Sequence, residues 1–236
     1  MKQTRGYINR TLLVLMPLLF MSVGMANDIY VTQSGDTLDL DITQDGQNNT
    51  VGNSTTSSSS VGATTTLNID QIGNSNVITY AINGATYTGV INLVGNSNNV
   101  DLNCDSTGGN SSCGTANAVI NFTGSSNDID LDIGQTSSAA TADVDIVGQS
   151  GSDSNVVAAT VDGNSAILTI TVNGDTNNWL IDIDGNGDVN GHTLIHTHTG
   201  GIADVDIVQS GINDQYINLT TSGDNHDIDI LSLIHI

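Results

Sequence analysis

The chain has 236 residues, and its 25 acidic residues, all of them Asp, outweigh three basic ones, which gives a formal net charge of −22. The basic residues are Lys2, Arg5 and Arg10, so the remaining sequence cannot neutralise phosphates, which argues against nucleic acid as a partner. After residue 27 the sequence consists mainly of Gly, Asn, Asp, Ser, Thr, Ile and Val. This composition disfavours helix and favours strands and turns.

The first segment has the pattern of a secretory signal. A basic start is followed by an apolar run from Leu12 to Phe20 and by small residues that end at Ala26. This order predicts a signal peptide over residues 1–26. The apolar run is too short to span a bilayer comfortably, although a retained short anchor is the alternative. We therefore expect a secreted chain, extracellular or at a bacterial cell surface, with no membrane span after signal removal.

The rest of the chain repeats a short phrase. Val31-Thr32-Gln33-Ser34-Gly35 is followed eleven residues later by Ile42-Thr43-Gln44-Asp45-Gly46, and the phrase returns at Gln71 and Gln209. Apolar residues alternate around each Gly, which is typical of a strand with one buried face, and Gly with Asn is turn chemistry. Two strand-turn halves make a unit of about 22 residues. The sequence thus predicts an all-β fold over residues 27–230, a β-solenoid of stacked strand-turn-strand rungs with a cross-β-like arrangement.

Stacked rungs place equivalent residues in columns. Amide columns can form hydrogen-bonded ladders, and open end rungs are templates for another copy. The amides predicted to stack are Gln33, Gln44, Asn49, Gln71, Asn76, Gln209 and Asn213. The predicted turn glycines are Gly35, Gly46, Gly73, Gly84, Gly95, Gly174, Gly185 and Gly211.

Several segments interrupt the repeat. Polar or Gly/Ser-rich runs predict loops near 52–62, 103–115 and 135–141. Cys104 and Cys113, the only two cysteines, predict a disulfide that closes the second loop. The extra Gly148 predicts a bulge. Residues 231–236 are out of phase and resemble the translation of a sequencing-library adapter, so we interpret them as non-native; a genuine apolar end strand is the alternative.

Two side-chain clusters suggest metal binding. Asp182, Asp184, Asn186 and Asp188 follow the spacing of a calcium loop, but the twelfth position is Thr193 instead of Glu. A solenoid turn at Gly185 is the alternative. The histidines His192, His196 and His198 suggest either a zinc site or, as the favoured interpretation, a solvent-facing ladder. No cofactor is required by the sequence, and calcium is the one candidate.

The repeat resembles that of a known family. The phrase that joins Ile42, Gln44, Gly46 and Asn49, and its copy from Ile69 to Asn76, are similar to the repeat of curlins, the subunits of curli functional amyloid. The resemblance implies a stacked strand-turn-strand fold, export to the cell surface, self-polymerisation, and roles in biofilm matrix and adhesion.

The sequence favours a structural role over catalysis. The Asp pairs are products of the repeat and no Lys, Arg or Glu accompanies them, so we do not expect an enzyme. The first hypothesis is a secreted subunit that self-assembles into curli-like fibres, with itself as partner. The alternative is a monomeric calcium-binding adhesin that binds a surface or matrix polysaccharide. A third hypothesis is an ice- or polysaccharide-binding face made by Thr193, Thr197 and Thr199.

Overall fold

The computed structural model describes residues 28–46, 49–52, 58–73, 75, 77–104, 113–134, 141–149, 151, 153–163, 165–183, 191–211 and 215–234. These residues form seventeen strands and no helix, which confirms the all-β prediction. The strands are β1 (Asp28–Ile29), β2 (Thr32–Ser34), β3 (Thr37–Asp45), β4 (Thr50–Val51), β5 (Ser58–Ile72), β6 (Val77–Val94), β7 (Asn99–Cys104), β8 (Thr115–Thr123), β9 (Asp128–Ile133), β10 (Thr141–Gly148), β11 (Val156–Val161), β12 (Ser165–Asn173), β13 (Asn177–Ile183), β14 (Thr193–Thr199), β15 (Ala203–Gly211), β16 (Tyr216–Ser222) and β17 (His226–Ile234).

The strands pair in two parallel ladders. One ladder runs through β1, β4, β6, β7, β9, β11, β13, β15 and β17. The other runs through β3, β5, β6, β8, β10, β12, β14 and β16. Because the chain alternates between the ladders, each rung is a strand, a turn and a strand. The fold is therefore the predicted β-solenoid.

The rungs differ in length, and the shortest step between neighbouring rungs is 22 residues. Side chains bonded across neighbouring rungs are 22 residues apart for Asn92 and Asp70. The separation rises to 27 residues for Gln71 and Gln44, and to 29 for Asn103 and Asp132. The predicted 22-residue unit is thus the uninterrupted rung, and the longer steps contain inserted loops.

One predicted loop is partly a strand. The polar run expected near 52–62 enters β5 at Ser58, and both Ser58 and Ser60 are buried. The Ser58 hydroxyl accepts a hydrogen bond from the Val31 amide at 3.0 Å, and the Ser60 hydroxyl lies 3.0 Å from that of Thr65. Because small hydroxyls find partners inside the solenoid, this polar stretch is compatible with an inward face.

A column of isoleucines forms the spine of the second ladder. Strand register places six of them one above another. They are Ile42, Ile69, Ile91, Ile120, Ile146 and Ile170, none more than 6% exposed. Such a column stays dry because each side chain packs on an identical neighbour in the next rung.

In the turns, a residue that follows the predicted glycine has a positive φ, in the left-handed region. Gly73 has φ 145°, and Ser75, two residues later, has φ 62°. The amides of Gly46, Gly73 and Gly174 each donate to a carbonyl of the next rung at 2.9 Å. Gly84 differs, because it lies within β6, stacked on Gly62, where a Cβ would come 2.3 Å from the Gly62 oxygen.

The turn prediction is wrong for Gly211, as it is for Gly84. Gly211 lies in β15 and not in a turn, and Gly185 lies outside the described residues.

The last strand carries the segment interpreted as non-native. Strand β17 pairs with β15 as far as Ile234, opposite Gly211. Its alternation inverts, because Leu231 and Leu233 are 51% and 43% exposed, while Ser232 aligns with the buried Gln209. The interpretation of residues 231–236 stays a prediction. In the described part of the chain, nothing helical is long and apolar enough to cross a membrane.

Candidate functional site

A column of asparagines links the turns of successive rungs. Asn98, Asn127, Asn155 and Asn177 are at most 2% exposed. The Asn98 amide donates to Asn127 Oδ1 at 2.9 Å, the Asn127 amide to Asn155 Oδ1 at 2.8 Å, and the Asn155 amide to Asn177 Oδ1 at 3.0 Å. Each side chain therefore satisfies a buried backbone donor in the preceding rung.

The sequence prediction captured this column only in part. The equivalent Asn49 was predicted and is buried, whereas Asn76 and Asn213 lie outside the described residues. A glycine shortly before an Asn identifies the missed members: Asn98, Asn127 and Asn177 come three residues after a glycine, and Asn155 comes four residues after Gly151. That signal does not require the glutamine on which the prediction depended.

The glutamine ladder is confined to two neighbouring rungs. Gln71 Nε2 donates to Gln44 Oε1 at 2.6 Å, and both side chains are buried. The next rungs place Leu93 and Phe122 in this column. An apolar side chain cannot continue an amide ladder, so the column becomes hydrophobic.

The other two predicted glutamines belong to the opposite ladder. Gln33 aligns with Ser60, whereas Gln209 aligns with Ile183, near the two ends of one inner column. Gln33 Nε2 donates to the Thr37 carbonyl at 3.4 Å. Gln209 is 0% exposed, and neither of its amide atoms has a hydrogen-bond partner. These residues are not stacked on Gln44 and Gln71.

The predicted bulge at Gly148 is not present. Strand β10 keeps register through Gly148, which aligns with Phe122 on one side and Val172 on the other. A Cβ at this position would lie 2.7 Å from the Phe122 ring. Gly148 therefore makes room for that ring, and Gln149 is displaced to the exposed surface.

Amide groups stack on carboxylates on the outer surface. Asn68 Nδ2 donates to Asp41 Oδ1 at 2.8 Å, and Asn92 Nδ2 donates to Asp70 Oδ1 at 2.6 Å. In both pairs the amide supplies a hydrogen-bond donor at a position where a second carboxylate would add a like charge. Where no amide intervenes, as between Asp101 and Asp130, burial and then the carboxylates of Asp101 and Asp128 raise the pKa of Asp130.

The histidines point into the solenoid. His192, His196 and His198 are 0% exposed, so the solvent-facing ladder predicted for them is wrong. The Ala166 amide donates to His192 Nδ1 at 3.1 Å. His196 packs edge-on against Trp179 with ring centroids 5.1 Å apart, and His198 meets His226 in the same manner at 5.5 Å. Alternation in β14 gives Leu194 and the histidines one face, and packing on β12 makes it the inner face.

The end rungs expose the solenoid core. In the described part of the chain, β1 pairs with β4, and β2 and β3 pair with β5. At the other end β16 pairs with β14 and β17 with β15. Inner-column residues that other rungs would bury are only partly buried at both ends: Ile29, Val31, Leu38, Leu40, Ile217, Leu219 and Ile228. Unpaired strand edges with apolar columns are templates for further strands.

The predicted metal site lies mostly outside the described residues. Asp184, Asn186 and Asp188 are among the residues not described, and Asp182 lies half-buried in β13. Across the described ranges, no group of three or more His, Cys or Asp side chains is placed to hold a metal ion. Calcium binding thus stays a prediction.

The cysteines lie at the corner of the rung that carries the second insertion. Cys104 and Cys113 are joined in a disulfide with Cα atoms 5.9 Å apart, and both are buried. The Cys113 amide donates to the Gly84 carbonyl at 2.6 Å. The disulfide thus joins the last residue of β7 to a residue just before β8, and the Cys113 amide links this corner to the neighbouring rung.

Comparisons of this chain with protein-family models, with curated proteins and with solved structures find no match.

Proposed function

We propose that the chain is a secreted structural subunit that stacks head to tail into curli-like fibres, which serve biofilm matrix and surface adhesion. The observation that carries this proposal is the pair of open end rungs. Each offers a parallel strand edge and partly buried core residues, such as Leu40 at one end and Leu219 at the other.

The columns favour a second copy as the occupant of each end. Leu40 and Ile217 belong to one inner column, and Ile29 and Ile228 belong to another. Stacking β16 and β17 of one copy on the first rung of the next would therefore continue apolar columns. All the strand pairs are parallel, so the two ends differ, and their contact is heterologous and can repeat without closing.

Charge opposes this contact and makes it dependent on salt. Asp28 and Asp227 occupy one outer column, so direct stacking brings them together. The Debye length falls from about 30 Å at 0.01 M salt to about 8 Å at 0.15 M salt, so added salt screens the repulsion between two approaching acidic chains. We therefore expect assembly to be faster in 0.15 M NaCl than in 0.01 M NaCl.

Sedimentation velocity of the chain from residue 27 tests the proposal, with Leu219→Asp as the end-blocking variant. An inward charge on an edge strand disfavours pairing with another chain. Thr220→Asp is the matched control, because it adds the same charge to the same strand on the exposed face. We expect wild type and Thr220→Asp to form polymers that bind thioflavin, and Leu219→Asp to remain monomeric.

Two results would contradict this proposal. One is a wild-type chain that stays monomeric at high concentration in 0.15 M NaCl. The other is equal polymerisation of Leu219→Asp and Thr220→Asp, since the open end rung would then be irrelevant. Far-UV circular dichroism of each variant establishes that the solenoid is folded.

The monomeric calcium-binding adhesin is the competing outcome of the same experiments. It requires binding in calorimetry with Ca²⁺ and a loss of thermal stability with chelator, and the Asp182→Asn variant would weaken both. Asp182 is the one predicted ligand within the described residues.

A further inference from the structure

The inner columns change character in the last rungs. The isoleucine spine from Ile42 to Ile170 continues at His196, and the neighbouring column passes from Val172 to His198. In the opposite ladder, the asparagine column passes from Asn177 to Ala203 and then to His226. Imidazoles thus replace apolar or amide side chains at three positions of the same end of the solenoid.

These imidazoles lack the partners that a buried polar group normally has. Neither ring nitrogen of His196, His198 or His226 has a hydrogen-bond partner. His196 and His198 are 0% exposed. A neutral imidazole can be tolerated there at some cost, whereas an imidazolium without a partner cannot.

The surroundings provide little compensation for a positive charge. Burial and then His198 lower the pKa of His196 to about 3. For His198, burial and then His226 lower the pKa, and the carboxylate of Asp175 opposes them. Among the residues that the structure describes at this end, His192, just before β14, is the other inward titratable group. The other carboxylates of β13, β15 and β17 are Asp182, Asp204, Asp206, Asp227 and Asp229, all on outward positions.

We propose that the buried pair His196 and His198, packed against His226 and Trp179, makes β14 to β17 an acid-labile end of the solenoid. Protonation opens these strands in mild acid, while the rungs filled with isoleucine remain closed. This acid-dependent opening is independent of the proposed function, because it takes place within a single chain. If the chains do stack, it also removes the surface on which the next copy would pair.

The direction and pH window follow from linkage. The folded form favours the neutral imidazole, so the opened form binds more protons below the unfolded pKa of about 6.5. Stability of the end is intact above that pH and falls as the pH decreases towards about 3 for His196. At pH 4.5 the opening constant rises about 100-fold from His196 alone.

Trp179 is a built-in probe of this opening, because it is the only tryptophan and its ring contacts His196. We expect its emission maximum to shift to longer wavelength, and its quenching by acrylamide to increase, between pH 6.5 and 4.5. Dilute protein from residue 27 keeps the chain monomeric during the titration. A fall in intensity without these two changes would mean simple quenching by the imidazolium and would overturn the proposal.

The column residues of earlier rungs supply the test variant. His196→Ile with His198→Val restores the side chains found at Ile170 and Val172 and removes the titrating groups. We expect the double variant to lose the transition, and the outward control Thr197→Ile to retain it. Hydrogen exchange of peptides from β14 to β17, compared with peptides from β5 to β8, locates the opening. An unchanged transition in the double variant, or equal exchange in both regions, would overturn the proposal.

Discussion

The middle strands of the solenoid, β5 to β12, and its last strands, β13 to β17, place different side chains in the same stacked columns. From β5 to β12, the inner column is isoleucine and the turn column is asparagine, and on the outside an amide stacks on a carboxylate where Asn92 lies above Asp70. From β13 to β17, the inner positions include His196 and Gln209, and Asp206 lies directly opposite Asp229. Carboxylates stack directly in both regions, as Asp101 and Asp130 do in the middle, so the clearest difference is the pair of buried imidazoles, His196 and His198, at the end.

This difference shows which features carry the fold. A repeat of one apolar or one amide residue stacks favourably in each added rung, so the regular columns stabilise the solenoid along its length. The unpartnered imidazoles of His196 and His198 lie at one end, where they lower local stability. A part of a repeat protein with low local stability is a natural place for opening and for contact with another chain.

The largest effect is expected where the middle is most regular. Ile120→Ala removes a fully buried side chain between Ile91 and Ile146, and we expect the free energy of unfolding to fall by about 2–5 kcal/mol. Urea unfolding followed by circular dichroism measures the loss. Val119→Ala, on the outward side of the same strand, should cost about 1 kcal/mol or less. Equal losses for the two variants would break the distinction between inner and outer columns.

The asparagine column should come next. Asn127→Ala leaves the buried Asn98 amide without its acceptor at 2.9 Å, and an unpaired buried group costs about 1–3 kcal/mol. Thermal unfolding should show the loss, and Asn117→Ala, on an exposed position of β8, should show almost none. If Asn127→Ala unfolds at the same temperature as wild type, the asparagine column does not stabilise the stacking of the rungs.

At the polar end the sign of the effect should reverse. Gln209→Ile continues the apolar column at Ile183 and removes two unpartnered amide atoms, so we expect a gain of about 1–2 kcal/mol in urea unfolding. Gln149→Ile adds the same side chain at an exposed position and should leave stability within about 0.5 kcal/mol. A loss of stability in Gln209→Ile would show that the buried Gln209 amide stabilises this end of the solenoid.

The smallest effect concerns outer carboxylates. Asp101→Asn inserts an amide beside Asp130, whose pKa is raised first by burial and then by Asp101, as Asn92 does naturally beside Asp70. A raised pKa means that ionised Asp130 destabilises the fold above its pKa, and acid relieves this. We expect a gain of about 0.5 kcal/mol or less at pH 7 in low salt, which disappears in 1 M NaCl. A gain that is independent of salt would exclude repulsion as the cause.

Sequence alone predicts the architecture because the period is short. Alternation of apolar residues gives strands, and the eleven-residue return of phrases such as that at Gln44 gives the half-rung. The sequence does not give the identity of the columns, because that depends on which half-rung each phrase occupies. Gln33 and Gln44 share a phrase but lie in opposite ladders.

The inner or outer direction of a strand is also beyond local sequence when both faces are plausible. In β14, either the face with His196 or the face with Ile195 and Thr197 could be buried by pattern alone. The register with Ile170 decides it. One extra residue has a similar effect at Gly148, which moves Gln149 from an inner to an outer position.

Cryo-electron microscopy of the chain from residue 27, incubated at pH 7.4 in 0.15 M NaCl, tests the head-to-tail proposal most directly. Head-to-tail stacking predicts filaments in which the rung spacing of ~4.8 Å continues without a break from β17 of one copy to β1 of the next. Particles that remain single solenoids, or filaments joined through the outer faces, would contradict it.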